Sequence, residues 1–130
     1  MPRLQLVALC LGCLAACGGG SDSTSYQLAV DQASQLESQA RAYGLSSPCA
    51  QTSQCGLLAF LEPTACPRPS YQVYSLVSSS AAAASAAASE EVLVAIQAIA
   101  LDPGPFGACP AFVIVPPIAA CAANTCQPSL

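Results

Sequence analysis

Residues 55–61 read Cys55-Gly56-Leu57-Leu58-Ala59-Phe60-Leu61 and residues 70–77 read Ser70-Tyr71-Gln72-Val73-Tyr74-Ser75-Leu76-Val77, and these two stretches decide the fold. The first is a short apolar run, and the second alternates in polarity, so both are typical of strands. The segment between them contains three prolines and indicates a long loop. The pair therefore predicts an antiparallel hairpin. Tyr71 and Tyr74 should lie on opposite faces of it, so at most one of them belongs to the core.

A helix is predicted before this hairpin, over residues 26–43. Its apolar residues recur at spacings of three and four, which is the stripe of an amphipathic helix; they are Ala29, Ala33, Leu36, Ala40 and Tyr43. Ser25 is suited to cap its start and Gly44 to end it.

A Ser/Ala tract, residues 78–89, follows the hairpin. Alanine has the highest helix propensity and Ser80 can cap, so the tract predicts one helix running on through residue 101. Its expected apolar face is Val92, Ile96 and Ile99, flanked by Leu93 and Ala100. The alternative is a disordered spacer.

A last strand, buried in the sheet, is predicted over residues 111–115, where β-branched residues lie between prolines. Residues 118–130 read as a coil that carries cysteines. The expected fold is α+β, in the order helix-strand-strand-helix-strand: a small three-stranded antiparallel sheet with two helices on one face, stapled by disulfides.

The N-terminus has the pattern of an export signal. Arg3 precedes a short apolar run that is too short to span a bilayer. The sequence Leu14-Ala15-Ala16-Cys17 resembles the lipobox of bacterial lipoproteins, whereas Cys10 and Cys13 lack that context. We therefore predict a signal peptide over residues 1–16, a diacylated (palmitate-type) Cys17 with a Gly/Ser tether over residues 17–25, and one domain over residues 26–130. The alternative is an ordinary secretory peptide with a free Cys17.

Cysteine counting supports an exported domain. The chain has nine cysteines. Without Cys10, Cys13 and Cys17, an even set remains: Cys49, Cys55, Cys66, Cys109, Cys121 and Cys126. Three disulfides are the expected state in an oxidising compartment. Fifteen pairings are possible. Cys121 and Cys126 are close enough in sequence to staple a terminal turn. A metal site is the less favoured alternative, because the chain has neither a Cys-x-x-Cys pair beyond the leader nor a histidine.

Charge and composition exclude several classes of function. The processed chain keeps two arginines and seven acidic residues, a net charge of −5, and the whole chain has neither Lys nor His. Such a surface cannot neutralise phosphates, so we expect no nucleic-acid partner and no electrostatic docking on anionic lipid. No phosphate or dinucleotide fingerprint is present, and no cofactor is expected.

Catalytic constellations are also missing from the sequence. Nucleophilic mechanisms that rely on an imidazole or an amine base have no candidate residue. Glu90 and Glu91 are adjacent, but neighbouring helix positions diverge, so we interpret the pair as a solvated helix face. Glu62, at a strand end, reads as a loop-edge charge or, less favoured, as part of a cleft. We expect no enzyme.

The segments 48–57 and 66–75, with Cys49, Cys55 and Cys66, resemble a group of proteobacterial six-cysteine lipoproteins that has no assigned activity. The resemblance implies the fold and the cellular address only. By analogy with lipoprotein sorting, Gly18 after Cys17 indicates the outer membrane of a Gram-negative host, with the domain facing the periplasm.

Two functions are compatible with this sequence. The favoured one is a non-enzymatic envelope module that binds a partner protein through the loop at residues 62–68 or through a helix face. The alternative is an inhibitor of an exported hydrolase, in which a rigid loop at residues 66–71 enters the hydrolase cleft.

Overall fold

The computed structural model describes residues 22–101, 109–111 and 113–129. The chain is an α+β protein, as predicted. Its elements in chain order are α1 (Asp22–Tyr43), a single 3-10 turn (Thr52–Gln54), β1 (Cys55–Leu61), β2 (Pro69–Ser75), α2 (Ala81–Leu101), β3 (Ile118–Ala122) and β4 (Thr125–Ser129).

The predicted hairpin is confirmed. β1 and β2 are antiparallel, with Gly56 opposite Tyr74 and Leu61 opposite Pro69. Because side chains alternate along a strand, Leu58, Phe60 and Tyr74 share one face. All three are buried against alanines of the two helices. Tyr71 lies on the other face and is only half-buried, so one tyrosine belongs to the core.

The first helix is confirmed with an earlier start. α1 begins at Asp22, so Ser25 lies inside it and does not cap it, and residues 22–25 are helical rather than part of a tether. Ala33 and Ala40 are buried as the periodicity predicted, whereas Tyr43 is 44% exposed. The helix ends at Tyr43, directly before Gly44, as predicted, and the chain passes close to β2 at this glycine. A Cβ at this position would lie 2.8 Å from the side-chain nitrogen of Gln72.

The Ser/Ala tract is helical, and the two helices are antiparallel. Ala33 packs with Val94 and Ala95, and Ala40 clusters with Ala84 and Ala87, so the start of α1 lies beside the end of α2. Ser80 does not act as the predicted cap. Its hydroxyl instead donates to the carbonyl of Tyr43 at 2.7 Å and ties the end of α1 to the start of α2.

The predicted apolar face of α2 is wrong. Leu93 and Ile96 are 62% and 51% exposed, and Val92 and Ile99 are only half-buried. The buried stripe consists of smaller residues and one acid: Ala84, Ala87, Ala88, Glu91, Val94, Ala95 and Ala98. Alanines let the helices approach closely, because little side chain separates the two backbones.

The predicted third strand is also wrong. Residues 111 and 113–117 form no strand, and the sheet of β1 and β2 has two strands rather than three. Pro110, Pro116 and Pro117 explain this, because proline removes a backbone donor and is excluded from sheet interiors. The tail, which we expected to be coil, forms a second hairpin of β3 and β4. One isolated bridge, Pro48 to Thr125, connects that hairpin to the segment before β1.

Candidate functional site

Three disulfides hold the described part of the chain together. They join Cys49 to Cys121, Cys55 to Cys126, and Cys66 to Cys109. All six cysteines assigned to disulfides from the sequence are therefore paired.

The suggested staple between Cys121 and Cys126 is wrong. These two residues face each other across β3 and β4, but each bonds to a cysteine that precedes or begins β1. The backbone N–H of Cys126 also donates to Ser47 at 2.8 Å, and that of Cys49 donates to Asn124 at 3.1 Å. The terminal hairpin is thus fastened as a unit onto the segment that leads into β1.

The two disulfides of this hairpin bring sulfur atoms into a cluster. The sulfurs of Cys49, Cys55 and Cys126 lie within 4.8 Å of one another. A metal ion would require thiolates. All three sulfurs are in disulfide bonds, so in this state they do not offer the ligands of a metal site.

An apolar segment is exposed between two of the disulfides. It begins after Cys109, which is bonded to the loop before β2, and leads to Cys121, which is bonded to Cys49. Val113 is 91%, Val115 76% and Ile118 66% exposed. We call residues 113–118 the apolar segment. The predicted buried strand at residues 111–115 includes the first part of this segment, but its exposure was not predicted.

A groove of about 410 Å³ lies beside this segment. It is lined by Glu37, Glu62, Arg68, Pro69, Ser70 and Ile114. The loop that borders it is ordered by backbone hydrogen bonds, since the N–H of Glu62 donates to Arg68 at 2.9 Å. The hydroxyl of Tyr26 on α1 also donates to the carbonyl of Pro63 at 2.9 Å. Glu62 itself is exposed on the rim, so it is a loop-edge charge that also borders a groove.

Arg41 lies between α1 and β2 and contacts two residues that line the groove, Glu37 and Ser70. Its guanidinium pairs with Glu37 at 2.7 Å and lies 4.3 Å from the ring centre of Phe60. It also donates to the hydroxyl of Ser70 at 3.0 Å. The side-chain nitrogen of Gln72 donates to the backbone carbonyl of Arg41 at 3.1 Å. The contacts with Glu37 and Ser70 hold these two groove residues in place. The guanidinium of Arg41 is itself engaged within the fold.

The prediction that both acids of the pair lie on a solvated helix face is wrong for Glu91. Glu90 is exposed, as a solvated helix face requires, but Glu91 is only 1% exposed. Its carboxylate accepts a hydrogen bond from the backbone N–H of Leu61 at 3.1 Å. Burial raises the pKa of Glu91 to about 7. Glu37 adds to this rise, whereas the Leu61 hydrogen bond and Arg41 oppose it.

The helical periodicity of the alanines predicts that Glu91 lies on the buried face of α2. Counting from Ala84 through Ala88 and Ala95, the same face of α2 passes through residue 91. The prediction of a solvated Glu91 follows the large apolar residues of α2, whereas the buried face follows its alanines. Because it is enclosed, Glu91 is not accessible to a substrate in this fold.

The remaining predicted site residue, Cys17, lies outside the described residues, as do Cys10 and Cys13. Comparisons of the chain with protein-family models, with curated proteins and with solved structures gave no match.

Proposed function

We propose that this chain is a lipid-anchored envelope lipoprotein whose folded part is a non-enzymatic module that binds a partner protein through the apolar segment. The observation that carries the binding role is the exposure of Val113, Val115 and Ile118 between two disulfides. Large apolar side chains that are held in water in a contiguous patch are typical of interaction surfaces.

The way the segment is held suits binding. Cys109 and Cys121 are bonded to distant parts of the fold, and Pro116 and Pro117 restrict the backbone between them. A segment that is already restrained loses little conformational entropy when a partner covers it. The groove beside Ile114 gives the same partner a polar rim, with Glu62 and Arg68 along it.

The anchoring role is supported by the sequence around Cys17. A single acyl chain gives only marginal membrane binding, whereas several chains on one cysteine would hold the protein durably. We propose the outer membrane, with the domain in the periplasm, by analogy with lipoprotein sorting at Gly18. The absence of Lys and His from the chain favours a binding module over an enzyme.

The anchor is tested by mass spectrometry of the mature N-terminus, combined with fractionation of cells that produce the full chain. We expect an acylated Cys17 as the first residue and recovery with the outer membrane. The Cys17→Ser variant should lose the acyl mass and leave the membrane fraction. Cys13→Ser is the matched control and should behave like the wild type. A wild-type chain that begins elsewhere or carries an unmodified Cys17 would contradict the anchor.

The binding surface is tested by site-specific photo-crosslinking in intact cells. A photoreactive amino acid is placed at Val113 in one variant and at Leu45 in another. Leu45 is a matched control because it is also an apolar residue that is largely exposed, at 78%, but lies outside the apolar segment. We expect one reproducible protein adduct from position 113 and none from position 45. Equal adducts at both positions, or none at either, would contradict the proposal.

An inhibitor of an exported hydrolase is the second candidate. It is favoured by the Cys66–Cys109 disulfide, which joins the predicted inhibitory loop at residues 66–71 to the chain that leads into the apolar segment. In that case the adduct from position 113 would be a hydrolase, and the purified protein would slow its turnover in proportion to occupancy. An adduct with a non-hydrolytic envelope protein would favour the first candidate.

A further inference from the structure

One end of the helix pair lies close to the proposed lipid anchor. Only residues 18–21 separate Cys17 from Asp22, where α1 begins. A chain extends by at most about 3.6 Å per residue, so the start of α1 stays within about 18 Å of Cys17. Acyl chains on Cys17 would therefore keep this end of α1 at the membrane surface.

The C-terminal half of α2 lies at the same end of the molecule. Ala33, at the middle of α1, packs with Val94 and Ala95, and Ala29, in the first half of α1, packs against the same cluster. The opposite end of the pair is where the hydroxyl of Ser80 bonds to the carbonyl of Tyr43. The antiparallel packing thus places residues 92–101 of α2 beside the part of α1 that follows the anchor.

This half of α2 has a largely apolar outer surface, on which Gln97 is the exposed polar side chain. Leu93 is 62%, Ile96 51% and Leu101 40% exposed. Residues 92–101 contain no charged side chain. Among the described residues, α2 is long and apolar enough to cross a membrane by length and composition, although its inner face is packed within the fold. Leu28 of α1, also exposed at 66%, lies in the same half of the helix pair.

We propose that the outer surface of α2 at Leu93, Ile96 and Leu101 lies in the interfacial layer of the lipid bilayer that holds Cys17. This inference rests on the lipid anchor of the proposed function. A helix that is packed on one face and apolar on the other can bury that second face about 5–10 Å into the headgroup boundary. The acyl chains would supply the attachment, and α2 would set the orientation.

Charge decides which lipids suit this contact. Asp31 and Glu90 are exposed on the same two helices, and Arg41, the one cation of these helices, is engaged with Glu37 and Phe60. Anionic headgroups would repel these acids, whereas neutral headgroups would not. The bilayer that fits is therefore one of uncharged, zwitterionic phospholipid.

The chain contains no tryptophan, so a single introduced Trp is a clean optical probe. The test uses the full lipidated protein on phosphatidylcholine vesicles with and without brominated acyl chains. The probe is placed by Ile96→Trp, with Leu93→Trp as a second position. Val77→Trp is the matched control, because Val77 is 56% exposed and lies just before α2, at the opposite end of the helix pair.

We expect Trp at position 96 to emit further to the blue and to be quenched several-fold more by brominated lipid than Trp at position 77. Equal quenching at the two positions, or none at either in protein that floats with the vesicles, would overturn the inference and leave the anchor standing. A blue shift at position 96 without quenching would also overturn it, because protein rather than lipid would cover α2. Failure of the wild type to float would show that the anchor itself is wrong.

Discussion

The carboxylate of Glu91, on α2, accepts a hydrogen bond of 3.1 Å from the backbone N–H of Leu61, the last residue of β1. The next N–H, that of Glu62, donates to Arg68 across the hairpin. Because successive N–H groups of a strand point to opposite sides, that of Leu61 points away from β2. Glu91 therefore satisfies an edge donor of the sheet from within a helix face that is otherwise alanine and valine.

Stability should fall as the pH rises through the titration of Glu91. Burial raises its pKa from 4.5 to about 7, so the unfolded chain releases the proton at a lower pH than the folded chain does. The contribution of Glu91 to stability is then fully present below about pH 4.5 and is lost by about pH 7. A shift of this size corresponds to about 3 kcal/mol. Urea unfolding at a series of pH values, with the disulfides intact, measures it.

The Glu91→Gln variant isolates this effect from that of the other acids. Glutamine keeps an acceptor for the N–H of Leu61 but does not titrate. We expect the variant to match the wild type at pH 4 and to be more stable by about 3 kcal/mol at pH 8. Glu90→Gln, on the exposed neighbour, is the control and should follow the wild type at both pH values. A Glu91→Gln variant that was less stable at pH 8 would contradict the interpretation.

The two disulfides of the terminal hairpin should contribute non-additively. Cys49–Cys121 and Cys55–Cys126 span 72 and 71 residues. While one remains, the other closes only the short ring between them, so replacing either pair by alanine should cost about 3 kcal/mol. Replacing both pairs also opens the larger loop, which Cys66–Cys109 still shortens, and should cost about 7 kcal/mol, slightly more than the sum of the two separate costs.

Urea unfolding of the two double variants and the quadruple variant tests this coupling. Cys66→Ala with Cys109→Ala is the comparison, because that disulfide lies outside the hairpin ring. Costs that simply add for the hairpin pairs would show that the two disulfides act independently. A quadruple variant that is unfolded without urea agrees with the larger cost, provided that both double variants remain folded.

The parts of the fold that follow from local pattern were predictable. The alternation that brings Leu58, Phe60 and Tyr74 to one face of the hairpin is a period of two, and the stripe through Ala33 and Ala40 is a period of about 3.6. Both patterns depend only on near neighbours along the chain. The apolar run of β1, the alternation of polarity in β2 and the proline-rich loop between them therefore sufficed to place the two strands.

The parts that depend on distant partners were not predictable. Val113 has high strand propensity, yet a strand needs a neighbour, and the prolines around it and the disulfides at Cys109 and Cys121 hold this region without one. Six cysteines allow fifteen pairings, so their positions alone did not reveal that restraint. The burial of Glu91, in contrast, was predictable from local pattern. The spacing of the alanines places it on the buried face, whereas the prediction followed the larger apolar residues.

The alanine stripe between the helices should tolerate little added volume. Ala95 is fully buried where α2 meets Ala33 of α1. A leucine there would have to separate the helices, so Ala95→Leu should lower the free energy of unfolding by about 1–3 kcal/mol. Ala86→Leu is the control, since Ala86 is exposed on the same helix and should change stability little. Thermal or urea unfolding of both variants measures the difference, and equal effects would contradict close packing at this stripe.

The turn between β3 and β4 should be stabilised by glycine at its first position. Ala123 and Asn124 have φ angles of 50° and 60°, in the left-handed region. Asparagine is suited to such a position and alanine is not, because its Cβ crowds the backbone at a cost of about 1–2 kcal/mol. Glycine removes that cost but loses about 0.5–1 kcal/mol through its larger freedom in the unfolded chain. Ala123→Gly should therefore raise the free energy of unfolding by roughly 0.5–1 kcal/mol.

Ala122→Gly, at an exposed position one residue earlier in β3, has no left-handed strain to relieve, so we expect it to lower stability. Urea unfolding with the disulfides intact compares the two variants, and the same sign of change in both would mean that the backbone at residue 123 is not what limits this hairpin.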